Sequence, residues 1–255
     1  MNADRLGDLA HALDDAWAGA ATVPAPSQQE PSLTTADAYA IQDLIIEGQV
    51  RAGSRRAGWK MGLTSVTPPT TPIVGTLLDD MIVPSGSDLS LGTMVAPMVE
   101  AELVVRIGET IDRTRTVAEL ERGPHEVGPG IEVIDYRTID SSGVVDWIAN
   151  NSTVAYAVVG ALVPVAEVRP AEVEASLFCD GRLLATGRGD QVMGNPLAAV
   201  AWLSQHLVER GRQLERCDVI LTGSLTGHHP VIPADMVEFI ADFDAFGAVD
   251  VRFHP

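Results

Sequence analysis

The stretch VEAELVVRI, residues 99–107, alternates along its length in the manner of a β-strand. Successive side chains of a strand point to opposite faces, so Glu100 and Glu102 share one face. The other face carries apolar side chains typical of a protein core: Ala101, Leu103, Val105 and Ile107. Two neighbouring carboxylates repel each other unless both lie in water or a cation joins them. The stretch therefore predicts a core strand whose second face meets either solvent or a cation.

A third carboxylate, Glu132, stands near the start of another apolar stretch, GIEVIDYR, residues 130–137. Hard divalent cations such as Mg²⁺ and Mn²⁺ take carboxylate oxygens and commonly keep waters that a substrate can displace. Glu132 is thus a candidate third oxygen ligand. The alternative is a solvated strand face, on which acidic residues are ordinary. The apolar segments on both sides of Glu100 and Glu102 weigh against full solvation, and a divalent metal site is our hypothesis.

The rest of the chain predicts an α+β protein that is mainly β. Apolar spacing predicts a helix over residues 4–19, and Thr34 or Thr35 caps a second helix that ends near Gly53. Residues 1–55 are therefore expected to form a helical N-terminal segment. Residues 56–255 are expected to form a mainly β catalytic domain, in one structural unit with that segment.

Within the mainly β region, Asn195 and Pro196 begin a single clear helix that Gly211 stops. Asp180-Gly181 lies between apolar runs and predicts a two-residue hairpin. The prolines of TSVTPPTTPIVG, residues 64–75, predict a loop. The remaining predicted strands are STVAYAVVG, CDVILTGS, MVEFIADF and AVDVRF.

Composition limits the classes of protein that the chain can belong to. It has 255 residues, of which 46% are hydrophobic and 20% charged, enough to bury a sizeable core. No run reaches the roughly 18 apolar residues of a membrane span, and the N-terminus lacks the layout of a signal peptide. The net charge of −18 argues against nucleic-acid binding, because phosphate contacts need clustered cations. We expect a cytoplasmic protein with neither a membrane nor a nucleic-acid partner.

Lys60, in AGWKMGLTS, is the only lysine beside sixteen arginines. A GC-rich genome explains the preference for arginine but not the exception. An arginine stays protonated in proteins, whereas a lysine amine releases its proton when its surroundings lower its pKa. Lys60 is therefore either present by chance or required as a group that titrates, and the residues around it are needed to distinguish the two.

Other candidates are weaker on sequence alone. Asp79 and Asp80, in GTLLDDM, face a site or simply end a turn. His228-His229 are potential ligands of a soft metal but favour a loop, and Cys179 is typical of a small buried residue. TGSLTG, residues 222–227, offers backbone N–H groups and a hydroxyl to a carboxylate, or forms a tight turn.

Several segments in order resemble the 2-keto-4-pentenoate hydratase/4-oxalocrotonate decarboxylase family, within the fumarylacetoacetate-hydrolase-like superfamily. They are GWKMGLTS, EAELVVRIG, IEVIDYR, DWIANNS, GNPLAAVAWL and DVILTGSLTG, and together they span roughly residues 35–253. The resemblance implies a mixed β-roll or sandwich with a few helices. It also implies a homo-oligomer and an Mg²⁺ or Mn²⁺ cofactor.

The resemblance also implies roles for individual residues. Its metal carboxylates fall on Glu100, Glu102 and Glu132, and its active-site lysine falls on Lys60. Its further acidic residue falls on Asp79 or Asp80, and both remain candidates. The remaining substrate-side positions implied by the motifs are Leu63, Ser152 and Ser224.

The chemistry of such a family suits these residues. A cation chelated by the C1 carboxylate and C2 oxygen of a 2-hydroxydienoate neutralises charge and stabilises the developing enolate. Moving a proton between carbon and oxygen needs a group that titrates near neutrality. We expect burial beside Trp59 and a nearby cation to lower the pKa of Lys60 for this role. An imine between Lys60 and the ketone ranks below this, because the metal already supplies the electron sink.

The leading hypothesis is a metal-dependent hydratase that converts a 2-hydroxy-2,4-dienoate to a 4-hydroxy-2-oxo acid in aromatic or steroid degradation. The rival is decarboxylation of a 4-oxalocrotonate-type substrate, for which a paralogous hydratase or decarboxylase partner is conceivable. A non-catalytic metal-binding subunit is a third hypothesis. The superfamily's C–C hydrolases are disfavoured, because residues 64–78 contain neither the His nor the Glu of their water-activating pair.

Overall fold

A computed structural model describes residues 1–66, 71–140 and 143–255. Among these residues the α-helices are α1 Ala3–Ala18, α2 Pro26–Gln29, α3 Thr35–Ala52, α4 Val117–Arg122, α5 Val144–Ala149 and α6 Pro196–Glu209. The predicted helix starts are confirmed for α3 and α6. Thr34 Oγ1 accepts from the N–H of Asp37 at 3.2 Å, and Asn195 Oδ1 accepts from the N–H of Leu197 at 2.9 Å. These side chains satisfy N–H groups that a helix start leaves without partners.

Strands make up most of the regular structure, which confirms the mainly β α+β architecture. In chain order they are β1 Val23–Pro24, β2 Arg56–Gly62, β3 Ile73–Leu78, β4 Ile82–Pro84, β5 Ser87–Ser90, β6 Pro97–Arg106, β7 Glu126–Asp135, β8 Thr138–Ile139, β9 Val154–Val159, β10 Val163–Pro164, β11 Glu174–Cys179, β12 Arg182–Arg188, β13 Val219–Ser224, β14 His229–Pro230, β15 Val237–Phe243 and β16 Gly247–His254. Asp180 and Gly181 join β11 to β12 with φ of 48° and 75°, as the hairpin prediction requires.

The strands form two main sheets. The larger sheet follows the order β3-β2-β13-β6-β7-β9-β4, with β10 added to β7 and β14 to β6. The smaller sheet has the order β12-β11-β15-β16-β5. β7 contacts both β15 and β16, so the two sheets pack on each other. The strand that carries Glu100 and Glu102 thus lies in the middle of the larger sheet, next to the strand that carries Glu132.

The main core contains the predicted apolar face of β6. Ala101, Leu103 and Val105 are completely buried there, together with the aromatic rings of the smaller sheet at Phe239 and Phe253. Val104 points to the opposite face, where it belongs to a second apolar cluster. Both faces of β6 are therefore buried near its centre, and Glu102 shares its face with an apolar neighbour.

The helical N-terminal segment packs against the larger sheet through α3. Gln42, which is buried, donates from Nε2 to the carbonyl oxygens of Val74 and Ile148, both at 2.9 Å. One side chain of α3 thereby joins β3 to α5. No helix of the described ranges is both long and apolar enough to cross a bilayer.

The loop prediction for residues 64–75 is wrong in its last part. Residues 67–70 lie outside the described residues, but Ile73 begins β3, which runs to Leu78. Pro72 precedes the strand, so its missing N–H costs no ladder hydrogen bond, and β-branched Ile73 and Val74 favour extension. The short helices α2, α4 and α5 were not predicted, because none is long enough to show a helical period.

Candidate active site

Three glutamates converge between β6 and β7. Glu100 is paired directly with Glu132 in the antiparallel ladder, and Glu102 is paired with Gly130. Cross-strand partners point to the same side of a sheet, so all three carboxylates share one face. One oxygen from each lies within 4.8 Å of the others. A Cβ at Gly130 would lie 2.4 Å from Val104 Cγ2, so glycine permits the close packing of β6 and β7 at this point.

These carboxylates are poorly satisfied by the protein itself. Glu102 and Glu132 are fully buried, and Glu100 is half-buried. Glu102 Oε2 accepts from the N–H of Gly223 at 2.8 Å. Glu102 Oε1 and Glu132 Oε2 receive no hydrogen bond from the described residues. Buried carboxylate oxygens without donors are costly, and a hard divalent cation compensates them. The donor set, three carboxylates without nitrogen or sulfur, fits Mg²⁺ or Mn²⁺.

The TGS segment of β13 brings a backbone N–H to this cluster. Gly223 has φ of 116°, a conformation that favours glycine, and the β13–β6 register shifts between Leu221 and Ser224. A Cβ at Gly223 would lie 1.8 Å from Thr64 Oγ1. Glycine therefore permits both the bend of the strand and its close approach to the end of β2.

Lys60 lies beside the glutamates, on β2. Its side chain is almost completely buried, at 5% exposure, and its Nζ lies 3.1 Å from Glu132 Oε1. The same Nζ donates to the carbonyl oxygen of Ser152 at 3.0 Å. Lys60 therefore pairs with one oxygen of Glu132, and the other oxygen has no hydrogen-bond partner among the described residues.

The pKa of Lys60 departs from the expected direction. Burial lowers this pKa, but the charges of Glu132, Glu100 and Glu102 raise it by more, and the net shift is upward. The expectation of a lowered pKa, which included a nearby cation, does not hold for the protein's own groups alone. It assumed the charge of a cation and neglected the three carboxylates that would hold that cation.

The glutamates themselves hold protons tightly. Burial is the main cause that raises the pKa of Glu132 to about 7, and Lys60 lowers it only in part. Burial and the charges of Glu132 and Glu100 raise the pKa of Glu102 well above its usual value. A bound proton therefore neutralises part of the negative charge that a divalent ion neutralises when it is bound.

A strained turn holds the carbonyl group that faces Lys60. Asn151, Ser152 and Thr153 have successive φ values of 49°, 52° and 62°, in the left-handed region. The side-chain amide of Asn151 accepts from the N–H of Thr76 at 2.8 Å and donates to the carbonyl of Thr76 at 2.9 Å. These two bonds extend the edge strand β3 and fix the turn. The hydroxyl of Ser152 is buried and has no partner in the described parts of the chain.

Gly75 provides the room for this arrangement. It is the ladder partner of Lys60, and a Cβ there would lie 2.6 Å from the carbonyl oxygen of Asn151 and 2.9 Å from Lys60 Cγ. The sequence analysis missed Gly75 and Asn151. Their only sequence signals were a glycine inside an apolar strand and an asparagine pair before a strand, neither of which identifies its partner.

A cavity of about 300 Å³ opens beside Glu100 and Glu102. Leu63 and Ser224, both predicted on the substrate side, line it, and so does Gln191. Leu63 has φ of 57°, which turns the chain away from β2 at the edge of the cavity. Ser152 does not line this cavity; it contacts the site through its carbonyl group.

The structure does not bring Asp79 or Asp80 to the glutamates. Asp79 accepts from the N–H and the Nε of Arg55, at 2.8 and 2.9 Å, and lines a larger cavity of about 790 Å³ that contains none of the glutamates. Asp80 is exposed beside Trp17 and lines a different cavity. Asp79 lies four residues beyond Gly75, about 13 Å at strand spacing, which explains the separation.

The weaker candidates also lie outside the cluster. His229 is in β14, paired with Val99, and its Nε2 lies 3.2 Å from the carbonyl oxygen of Thr226. His228 is exposed, with its ring 6.5 Å from that of Tyr136. Cys179 is half-buried at the end of β11.

Comparison with known proteins identifies relatives over nearly the whole chain. The family model for the C-terminal part of fumarylacetoacetate (FAA) hydrolase matches residues 49–253. The chain is 30% identical to 2-keto-4-pentenoate hydratase 1 of Dechloromonas aromatica, over 85% of this chain and 84% of the relative. It is 29% identical to a 4-oxalocrotonate decarboxylase of Pseudomonas putida, over 99% of this chain and 98% of the relative.

A solved structure of a relative has a similar three-dimensional fold. The 4-oxalocrotonate decarboxylase from Pseudomonas putida G7, complexed with magnesium and adipate, superposes with a TM-score of 0.93 and 27% identity. The match covers 99% of this chain and 98% of that one. The mixed β fold with few helices is thus shared over the full length of both proteins.

Proposed function

The chain belongs to the fumarylacetoacetate hydrolase family, and on this premise we propose that it is a metal-dependent lyase. Its proposed reaction is the hydration of a 2-hydroxy-2,4-dienoate of the 2-keto-4-pentenoate type to a 4-hydroxy-2-oxo acid. The observation that carries the proposal is the buried cluster of Glu100, Glu102 and Glu132 with Lys60 in contact. Relatives with the names of hydratases and decarboxylases, all lyases, support it.

Glu100, Glu102 and Glu132 would hold the metal, as Mg²⁺ or Mn²⁺. Two unsatisfied oxygens, on Glu102 and Glu132, support this assignment. The remaining interactions fix these carboxylates in place: the N–H of Gly223 holds Glu102, and Lys60 holds Glu132. When bound, the ion supplies a Lewis acid to the C1 carboxylate and C2 oxygen of the substrate, where negative charge develops.

Lys60 is proposed to handle the proton. The net reaction adds water as a proton at C5 and hydroxide at C4 of the dienoate, and the enol at C2 becomes a ketone by losing its O–H proton while C3 gains one. Within the described residues, Lys60 contacts the cluster through Glu132. Its ammonium group is oriented by Glu132 and by the carbonyl oxygen of Ser152. A compact, buried ammonium can donate a proton or hold charge beside the developing enolate.

The residues proposed to lie on the substrate side differ in their position in the structure. Leu63 and Ser224 line the cavity, and the Ser224 hydroxyl has a buried oxygen without a partner in the described structure. Ser152 is proposed to act through its carbonyl on Lys60. Asp79 and Asp80 are not assigned a part in the reaction, since each lines a different cavity.

Decarboxylation of a 4-oxalocrotonate-type acid is a second candidate. It is favoured by the TM-score of 0.93 to a decarboxylase over the full chain. In that reaction the C–C bond to the distal carboxylate breaks, CO₂ leaves, and its electron pair is delocalised to the C2 oxygen. The same three glutamates and Lys60 would serve, because the developing charge lies on the same oxygen.

The test is to incubate the Mg²⁺-loaded protein with 2-hydroxypenta-2,4-dienoate and with 4-oxalocrotonate. Loss of dienoate absorbance with formation of the 4-hydroxy-2-oxo acid supports hydration, and release of CO₂ from the second substrate supports decarboxylation. Lys60→Met should lower either rate by at least about 100-fold. If neither substrate is consumed while Mg²⁺ binds, the chain is the non-catalytic metal-binding subunit instead.

The wider setting of the protein is proposed on the resemblance alone. We expect a cytoplasmic homo-oligomer, alone or with a paralogous hydratase or decarboxylase, that acts in aromatic or steroid degradation. The division into a helical segment, residues 1–55, and a catalytic domain, residues 56–255, also stays a prediction. Sedimentation velocity of the purified chain tests the self-association.

A further inference from the structure

The cavity beside the glutamates has a wall without charge. We call this the neutral wall; it consists of Leu63, Thr64, Ser65, Gln191 and Leu225. A substrate that binds the metal site through its C1 and C2 oxygens must direct its other end away from the glutamates, into the rest of the cavity. The polar atoms that the wall offers there are hydroxyl, amide and backbone groups.

Two of the three segments that form the wall carry no cation, and the third, which contains Leu225, is followed by His228 and His229. From residue 61 to residue 105 there is no Lys, Arg or His, and from residue 189 to 205 there is none either. His228 is exposed with its ring 6.5 Å from that of Tyr136, and His229 Nε2 lies 3.2 Å from the carbonyl oxygen of Thr226.

Arg188 donates its backbone N–H to Gln191 Oε1 at 2.9 Å, but its guanidinium pairs with Asp190 at 3.2 Å and Glu174 at 3.9 Å. The ammonium of Lys60 is already engaged by Glu132 and Ser152.

The wall is fixed by backbone hydrogen bonds. Ser65 and Val192 form an antiparallel bridge, the N–H of Met193 donates to Thr64 at 2.9 Å, and the N–H of Val66 donates to Gln191 at 3.2 Å. The end of β2 and the segment before α6 are thus joined as a short ladder. Gln191 is held beside Ser65, and Val66 follows at the rim with 44% of its surface exposed.

A carboxylate at the distal end of a substrate would be disfavoured here. It would lose water without gaining a cation, in a chain of net charge −18. A hydrogen atom or an alkyl group at the same position has no charge to desolvate, and it gains apolar contact with Leu63 and Leu225.

We infer that this site selects 2-oxo and 2-hydroxydienoic acids whose distal end is uncharged and discriminates against diacids. The inference rests on the proposed function and adds the substrate class. It separates the two candidate reactions, because the decarboxylase substrate is a diacid and the 2-keto-4-pentenoate type is not.

The first test measures binding and does not depend on turnover. The Mg²⁺-loaded protein is titrated calorimetrically with 2-oxoheptanoate and with 2-oxoheptanedioate, which have equal chain lengths and lack the double bond that reacts. We expect the diacid to bind about 10–100-fold more weakly. Equal or tighter binding of the diacid overturns the inference, whatever the activity of the enzyme.

The second test compares turnover of 2-oxohept-4-enoate with that of 2-oxohept-4-ene-1,7-dioate, which differ only in the distal carboxylate. The expected kcat/KM ratio favours the monoacid by a similar factor. Turnover of both at equal rates sinks the inference and leaves the proposed function standing. Turnover of neither, nor of 2-hydroxypenta-2,4-dienoate, with the binding preference intact, sinks the proposed function and leaves the inference standing.

A variant places a cation in the wall. Gln191→Arg should raise kcat/KM for the dioate at least about 10-fold and reduce the preference for the monoacid. Gln205→Arg, at an exposed glutamine of α6 that bonds Glu209, is the matched control and should leave the preference unchanged. If both variants change the preference equally, a general charge effect is responsible and the wall does not set specificity.

Discussion

The two faces of β6 differ in what they contribute to this protein. Leu103 and its neighbours on one face are buried in the main core, where apolar contact stabilises the fold. Glu102 on the other face is equally buried but bears a carboxylate with an unsatisfied oxygen. Burial by itself therefore does not distinguish a residue that stabilises the fold from one that serves the active site. The difference lies in whether the buried group is satisfied by the protein alone.

The largest expected effect comes from the carboxylate face. Glu102→Gln keeps the size of the side chain and removes a negative metal ligand, so kcat/KM should fall at least about 1000-fold. In EDTA its melting temperature should equal or exceed that of the wild type, because the side chain no longer has an ionised form that burial and the neighbouring glutamates disfavour. Activity assays and thermal unfolding of the same preparations measure both. A lower melting temperature together with retained activity would contradict the comparison.

The apolar face should behave in the opposite way. Leu103→Ala removes buried methyl groups from the core and should cost about 2–5 kcal/mol of unfolding free energy. The fraction that remains folded should keep its kcat, since Leu103 does not touch the cluster face. Urea unfolding and active-site titration check this. If the kcat of Leu103→Ala falls as far as that of Glu102→Gln, the two faces of β6 do not have the separate roles described here.

The turn beside Lys60 should have an intermediate effect. Asn151→Asp cannot donate to the carbonyl of Thr76, so it loosens the turn that aims the Ser152 carbonyl at Lys60. We expect kcat to fall about 10–100-fold with little change in KM, because the cavity lining is untouched. Ser152→Gly keeps the carbonyl and suits the left-handed φ, and it serves as the control. Equal losses in both variants would instead assign the role to the Ser152 hydroxyl.

The pH dependence of stability should reveal the buried glutamates. The folded-state pKa of Glu132 is about 7 and its ordinary value is 4.5, so between these values the folded state holds a proton that the unfolded state has released. This contribution to stability is present below the ordinary pKa and is lost as the pH rises through the folded one. In EDTA, the melting temperature of the wild type should fall relative to Glu132→Gln between pH 5 and pH 8.

Metal binding gives the complementary measurement. Mg²⁺ competes with that proton, so it should raise the melting temperature more at pH 8 than at pH 6. The same comparison with Glu132→Gln should show a smaller dependence on pH. A stabilisation by Mg²⁺ that does not change with pH would argue against a metal site at Glu132.

The smallest effect is expected at the acidic pair that the structure separates from the site. Hydrogen bonds from Arg55 hold the pKa of Asp79 below its usual value at a half-buried position. Asp79→Asn should leave kcat/KM within about twofold of the wild type. A loss of 100-fold or more would mean that Asp79 reaches the reaction in a way that this arrangement of the chain does not provide.

Local pattern predicted most of the secondary structure and failed at identifiable places. Thr34, Asn195 and Asp180-Gly181 act through neighbours a few residues away, so their helix caps and hairpin follow from the sequence. β3 was missed because prolines precede it closely. The three unpredicted α-helices have four, six and six residues, too few to show a period.

The sequence by itself determined that Glu100 and Glu102 share a face of one strand, because the two-residue repeat of a strand is a local property. Tertiary structure decided which partners meet there. It paired Glu132 with Glu100, seated Lys60 against both Glu132 and the Ser152 carbonyl, and left Asp79 and Asp80 elsewhere. These contacts join residues far apart in the chain, and sheet register and close glycine packing, which no local pattern encodes, fix their distances.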